Sequence, residues 1–312
     1  MLDKIKTLHE GPWEHRASRP EIERWLDNFT GKIFTEAEER LHALHLLSVF
    51  TYFGDRELRV LLRAMFRDLY KYPIVEQIRQ ELGDSTDEVA IATRFGQELN
   101  ATRFVGIGNP AESGTHLLYY FRQENYLHRA RFIHTHEIFK GRVMTGSPEF
   151  EDPGVRHYVF IDDFCGSGTQ AKQYSSKVVD AIHDAAGTAS LDVTSSYYVL
   201  AATETGLAEV RSTTSFDNVD AVFELDDTHK AFEPESRYYP TELTAVDRPT
   251  GRAIAEFYGG SLVQSHPLGY KNGQLLLGFH HNVPDNSLPV FWFNEPSSSW
   301  VPIFRRYPKV GG

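Results

Sequence analysis

Residues 157–171, HYVFIDDFCGSGTQA, constrain the fold of this chain more than any other stretch. Residues 157–161 have the aromatic and β-branched content of a buried strand. Two adjacent acids, Asp162 and Asp163, stand at its expected end. Gly166 and Gly168 bracket Ser167, so the backbone can turn tightly and bring its N–H groups close to a ligand. From Thr169 the spacing of Ala171, Tyr174, Val178 and Ala181 predicts a helix. A Gly/Ser/Thr loop feeding a helix N-terminus suits a phosphate, because backbone donors and the helix dipole both favour an anion there. Carboxylates beside such a loop suit a sugar phosphate, the acids taking hydroxyls and the loop the phosphate. The plainer alternative is a strand ending in an acidic turn. On either view the loop is expected at the surface of the sheet edge.

The same alternation recurs along the chain. Residues 103–108 predict a short buried strand, followed by NPAESGT and a helix from His116. Residues 130–139 read as a further strand, 191–202 as a strand leading to a helix over 204–211, and 219–225 as one more. This order predicts an α/β fold with a mostly parallel sheet flanked by helices. Ligands in such sheets bind outside the carboxyl ends of the strands. Residues 1–101 read instead as helices. Pro20 suits a first turn, and Thr35 with Glu38 forms a capping box opening a helix to about Tyr52. Apolar stripes mark a helix from Leu58 to Leu69, another from Pro73 to Leu82, and a last one over 87–100. The expected division is a helical region over 1–101 and an α/β domain with a C-terminal extension over 102–312. The helical region either caps a partner or substrate, or completes the core. Near the end, Asn272-Gly273 predicts a tight turn.

Composition narrows the function classes. The chain has 312 residues, 41% of them hydrophobic, enough for a sizeable core. Its net charge of −11 argues against a surface built to embrace duplex nucleic acid, though not against one small phosphate pocket. No apolar run approaches a membrane span, and the first residues lack an apolar signal core, so a cytoplasmic protein is expected. Cys165 is the single cysteine, which excludes an intrachain disulfide; a small buried thiol is expected there. The 14 histidines form no convincing metal motif, and His134 with His136 reads as ordinary hydrogen-bonded histidine.

The strand, Asp-Asp and small-residue loop of residues 157–171 resemble the phosphoribosyl pyrophosphate (PRPP) signature of type I phosphoribosyltransferases. The resemblance implies that Asp162 and Asp163 bind the ribose hydroxyls, and that Gly166, Ser167, Gly168 and Thr169 hold the 5′-phosphate. It further implies a pyrophosphate loop on an earlier strand, a role that Asn109, Ser113, Gly114 and Thr115 fit by type. Glu112 beside a pyrophosphate calls for Mg2+ carried by the ligand or for an outward pose. The loop over 140–155 stands where that family has a mobile loop that closes over the site. Phe232, Arg237 and Tyr238 are the implied acceptor contacts. Many family members have Thr-Thr-Gly-Gly-Thr where this chain has Gly166-Ser167-Gly168-Thr169-Gln170, which shifts the threonine.

GNPAESG, FIDDFCGSGTQ, HPLGY, NVPDNSLPVFW and WVPIFRR together extend the likeness over residues 105–306. In combination they resemble the phosphoribosyltransferase-like domain of bacterial conflict systems. That resemblance implies an effector or sensor of an anti-phage operon. It leaves two activities open: Mg2+-dependent transfer of a ribosyl-phosphate group from PRPP or a related nucleotide, and ligand sensing without turnover, passed to a partner protein. No protein nucleophile is needed for the former.

Overall fold

Hydroxyl and acidic residues set the helix starts along the first hundred positions. The computed structural model describes residues 1–107, 113–140, 148–241 and 243–306, and of residues 113–116 the backbone alone. Helix α1 spans Leu2–Glu10, and α2 (Arg19–Leu26) opens behind Ser18, whose hydroxyl and backbone N–H both reach the Glu21 carboxylate. Helix α3 (Glu36–Ser48) opens behind Thr35, which accepts from the Glu38 N–H at 3.3 Å. It ends at Ser48 rather than near Tyr52, because Thr51–Phe53 leaves it to form strand β1. Helix α4 (Asp55–Ala64) runs through a π-helical turn, Met65–Lys71, into α5 (Tyr72–Glu81). Helix α6 (Glu88–Asn100) is capped by Asp87, which accepts from the Val89 and Ala90 N–H groups.

From Thr102 strands and helices alternate: β2 (Thr102–Gly106), α7 (Ser113–Glu124), β3 (His157–Cys165), and then α8 (Thr169–Tyr174). Helix α8 continues through a second π turn, Ser175–Val179, into α9 (Asp180–Ala189). Strand β4 (Thr194–Thr203), helix α10 (Glu204–Thr213) and strand β5 (Asn218–Leu225) follow. The remaining elements are α11 (Arg248–Leu262), β6 (Leu277–Phe279) and α12 (Pro289–Trp292).

The chain divides into two compact units, and the expected boundary at residue 101 is not where it divides. One unit joins Met1–Leu58 to the chain from Leu225 on; the other is Arg59–Glu224. The second unit holds a four-stranded sheet in the order β2-β3-β4-β5, with β2, β3 and β4 parallel. Phe104 pairs with Val159, and Phe160 with Tyr197, in register. On one face Phe104 meets the rings of Phe66, Tyr70, Phe121 and Phe132. Elsewhere Phe160 and Tyr197 pack on Phe216, in a core with Val179, Ile182 and Val210. Helices thus cover a parallel sheet, as the alternation predicts.

Residues 130–139 do not form the expected strand. They make two 3-10 turns, Arg129–Arg131 and Thr135–Glu137, with single bridges from Phe132 to Phe104 and from Phe139 to Phe150. His128 accepts from the Ala130 N–H, and Glu137 accepts from the His134 N–H at 2.7 Å. These local side-chain bonds satisfy the backbone in place of a ladder. The expected closing loop over 140–155 is pinned at its base by Lys140 N–H to the Glu149 carbonyl and Glu151 N–H to the Ile138 carbonyl. Its residues 141–147 lie outside the described residues.

In the first unit β1 and β6 pair in parallel, Thr51 opposite Leu277. Aromatic side chains fill its core: Trp25 stacks on Phe291 at 5.3 Å and donates to the Val290 carbonyl at 2.8 Å. Glu39 is fully buried there. Its carboxylate accepts from the Gly31, Ile33 and Phe34 N–H groups and from the Tyr258 hydroxyl. Asn272-Gly273 closes a tight turn, as expected, the Gly273 N–H donating to the Tyr270 carbonyl at 3.1 Å. Lys271 and Asn272 take the left-handed conformation, whereas Gly273 has φ −64° and is a glycine because a Cβ would fall 2.6 Å from the Asn286 carbonyl. Gly269, at φ +91°, packs on the same carbonyl. HPLGY and NVPDNSLPVFW are therefore two halves of one packing unit. Among the described residues no helix is long and apolar enough to cross a membrane.

Candidate functional site

The site begins where β3 outruns its neighbour. Strand β2 ends with Gly106 beside Ile161, and β3 continues past it with β4 alongside, Asp162 opposite Val199 and Cys165 opposite Ala202. The two acids are therefore inside the strand, which runs four residues past Ile161, where the sequence suggested its end. Asp162 is 4% exposed and Asp163 9%.

Asp162 is held from two sides. The Tyr197 hydroxyl, on β4, donates to its Oδ2 at 3.1 Å, and the Asp163 backbone N–H donates to its Oδ1 at 2.9 Å. Burial, and after it the charge of Asp163, hold the Asp162 carboxyl well above the usual carboxylate range. Burial and the neighbouring Asp162 also push the Tyr197 hydroxyl up. Cys165 completes the cluster; burial takes its thiol up to about 11, so it stays protonated and is no nucleophile at neutral pH.

Beyond the acids, the loop is shaped by glycines and by the next strand. Gly168 has φ +70°, a conformation that L side chains rarely adopt, and it stands immediately before the helix that α8 opens. A Cβ there would lie 3.0 Å from Val210 Cγ2 on α10. Ser167 Oγ and Thr169 Oγ1 are 3.0 Å apart and hydrogen-bonded. Thr203, at the end of β4, donates its hydroxyl to the Gly166 carbonyl at 2.5 Å and accepts from the Gly206 N–H at 2.9 Å, capping α10. Gly206 lies so close that a Cβ would meet the Gly166 carbonyl at 2.6 Å. The loop is thus seated on α10 rather than free at the sheet edge.

The structure brings together Asp162, Asp163, Gly166, Ser167, Gly168 and Thr169, and joins to them three residues that the sequence reading missed: Tyr197, Thr203 and Gly206. The signal for Thr203 and Gly206 was present, a threonine after an apolar run and a glycine three residues on, which is a cap followed by a close approach. Asn109 lies outside the described residues. Ser113, Gly114 and Thr115 open α7, at the carboxyl end of β2, and their side chains lie outside the described residues. Phe232, Arg237 and Tyr238 belong to the first unit, whereas residues 162–169 belong to the second. Phe232 is a core residue whose N–H donates to Gln274. Arg237 Nε donates to the Thr228 hydroxyl, and the guanidinium is 3.5 Å from Asp226. The Tyr238 carbonyl is 2.9 Å from His45 Nε2, and burial pushes its phenol up to about 12. Among the described residues no group of three or more His, Cys, Asp or Glu is placed to hold a metal ion. His134 and His136 stack in parallel at 5.6 Å.

A family model described as PRTase-CE matches residues 22–306. Comparison with curated proteins returns no match. Among solved structures, Helicobacter pylori xanthine-guanine-hypoxanthine phosphoribosyltransferase matches at 11% identity and a TM-score of 0.27, over 56% of this chain and 91% of that one. Orotate phosphoribosyltransferase from Aeropyrum pernix matches at 14% and 0.24, over 52% and 75%. The AQ2163 protein from Aquifex aeolicus matches at 10% and 0.29, over 68% and 86%. At such scores the fold assignment rests on the parallel, helix-flanked sheet itself.

Proposed function

Because the chain belongs to the PRTase-CE family, a phosphoribosyltransferase-like family, we propose that it binds PRPP or a related nucleotide at the carboxyl ends of β3 and β4 and transfers the ribosyl-phosphate group. The observation that carries this reading is the loop of residues 166–169, with Gly168 left-handed at a helix start five residues after Asp163. The 5′-phosphate takes the backbone N–H groups and the Ser167 and Thr169 hydroxyls. The Asp162–Asp163 stretch meets the ribose, and the segment after β2, with Asn109, Ser113, Gly114 and Thr115, meets the pyrophosphate. Pyrophosphate oxygens together with a carboxylate form the hard-oxygen donor set that Mg2+ prefers. The ion fits as one carried in on the substrate, where it neutralises charge on the departing pyrophosphate. The N–H groups at the helix start hold phosphate without reorganising as the bond at C1′ breaks. In this reading the protein is an effector of an anti-phage defence system; the ground for that setting is its motif likeness.

A second reading, a nucleotide sensor without turnover that signals to a partner protein, is favoured by one observation. The Asp162 carboxyl is already engaged inside the sheet. Calorimetric titration of PRPP with Mg2+, paired with a pyrophosphate-release assay on mixed bases and nucleotides, decides between them. Binding with release that Asp163→Asn abolishes supports the enzyme; binding without release supports the sensor. No binding by the wild-type chain would sink both.

A further inference from the structure

Helices α4 and α7 turn a set of arginines and tyrosines outward. We propose that this face docks single-stranded nucleic acid, its bases stacking on the tyrosines and its phosphates meeting the arginines. The inference goes beyond the reading above and does not depend on it.

Burial decides which side chains of the two helices stay outside. On α7, Leu117 and Phe121 are buried, and Phe121 packs on Phe66 and Phe104. Helical spacing then leaves Tyr119, Tyr120, Arg122 and Gln123 on the outer side. On α4, Leu62 is buried, and Arg59 and Arg63 both donate to the Glu124 carboxylate of α7 at 3.0 Å. The Arg59 guanidinium lies 4.2 Å from the centroid of the Tyr120 ring, and Tyr120 meets Tyr119 edge-on at 5.7 Å. The Arg122 guanidinium lies 5.7 Å from the centroid of Tyr119, whose hydroxyl accepts from Gln123 Nε2 at 2.9 Å. Cations and rings thus form one ladder across two helices, held in place before any ligand arrives.

Tyr126, just past the end of α7, points most directly to a partner. It is 96% exposed at φ +53°, a left-handed position that glycine or asparagine fills more readily. At that exposure its ring adds nothing to packing, so the fold does not account for a tyrosine there. Tyr119 is 52% exposed. Residues 59–64 and 117–130 hold four arginines, Arg59, Arg63, Arg122 and Arg129, against one acid, Glu124, in a chain of net charge −11. Glu124 is taken by Arg59 and Arg63, and neither Arg122 nor Arg129 has a carboxylate partner among the described residues. Exposed rings stack on bases of any sequence, and uncompensated arginines take phosphates. A duplex hides its base faces and asks for more positive charge than this patch offers, so the ligand class is a single strand. A protein partner would ask for an apolar centre, whereas the exposed large aliphatic among the described residues of these segments is Val60 alone.

The experiment follows fluorescence anisotropy of short labelled oligo(dT) and oligo(U), and of a duplex of equal length, on the full chain across a salt series. A single strand is expected to bind more tightly than the duplex, with affinity falling as salt rises; the two strands show which sugar is preferred. Tyr126→Ala is expected to lose about five- to a hundred-fold, the scale of one stacked base, while Tyr126→Phe stays within about two-fold. Arg122→Ala is expected to weaken binding and to lower the salt slope by about 0.7, the share of one phosphate. Arg252→Ala, which removes a half-exposed arginine of the other unit, should bind like wild type. Each variant's thermal transition is recorded, and Tyr126→Ala is expected to melt with wild type. No single-strand binding at the lowest salt overturns the proposal. So does duplex binding as tight as single-strand binding, or wild-type affinity in both Tyr126→Ala and Arg122→Ala. Equal affinity for polyglutamate would make the face a dock for acidic proteins and also overturn it. No arm contains PRPP, so failure of the proposed function leaves this outcome untouched.

Discussion

The Thr203 hydroxyl donates to the Gly166 carbonyl at 2.5 Å while accepting the Gly206 N–H, so one side chain ties the β3 loop to the start of α10. Each bond alone is ordinary. Together they make the loop's position a property of two consecutive strands rather than of its own sequence. Thr203→Val keeps the shape and removes both bonds. The expected cost is about 1–2 kcal/mol in chemical denaturation, the scale of a lost cap. Affinity for PRPP should fall too, whereas Thr203→Ser should retain both.

Glycine-to-alanine changes test the seating of the loop. Gly206→Ala should be the more damaging, because its Cβ would meet the Gly166 carbonyl at 2.6 Å, against 3.0 Å to a movable valine methyl for Gly168→Ala. The Gly168 change carries the left-handed penalty as well, about 1–2 kcal/mol. A loop at a free sheet edge would have left thermal stability unchanged in Gly168→Val. Seated on α10, that variant should melt at lower temperature than wild type, and an unchanged transition would count against the packing described here.

Glu39 tests the first unit separately. Burial pushes its carboxyl up, but the N–H groups of Ile33, Phe34 and Gly31 and the Tyr258 hydroxyl more than offset this and hold it below its usual range. Its stabilisation is therefore complete above the unfolded-state value near 4.5 and is lost as pH falls through the lower folded value. Glu39→Gln points an amide at a row of donors. The expected loss is about 1.5–3 kcal/mol at pH 7, shrinking in acid.

Acid and base act oppositely on two residues of β3. Burial lowers the pKa of His157, so the unfolded chain binds the proton more readily and stability drops as pH falls below about 6.5. His157→Gln should flatten a plot of melting temperature against pH between 7.5 and 5.5. For Asp162 the folded value is raised, so the folded chain holds more protons and stability falls as pH rises from the unfolded value toward the folded one. Asp162→Asn removes this penalty and should raise the melting temperature at pH 7 more than at pH 5.

How much of this was legible in the sequence differs from element to element. The β3 loop was readable because glycine, hydroxyl and helix signals agree within a dozen residues. The end of β3 was not, because Asp162-Asp163 reads as polar punctuation until β4, some 35 residues on, supplies Tyr197 and Val199 beside it. At Asn272-Gly273 the local signal was enough for the turn, whereas the need for glycine at 273 comes from a contact with Asn286 that the sequence does not show. Strand β1 was lost in the tail of a helix, since its partner β6 lies beyond the whole second unit. Local chemistry was legible; pairing over long separations was not.

The pairing of Thr51–Phe53 with Leu277–Phe279 has a consequence for synthesis. As the chain leaves the ribosome, residues 1–58 emerge before the strand, the aromatic partners and the Tyr258 hydroxyl that complete their core. Residues 59–224 are contiguous and, once Leu225 ends β5, have every strand of their sheet. The unit that begins second should therefore be the first to finish. Helices α1 and α2 must wait, with Trp13 and Trp25 unburied, until the segment that carries Phe291 and Phe304 has been translated.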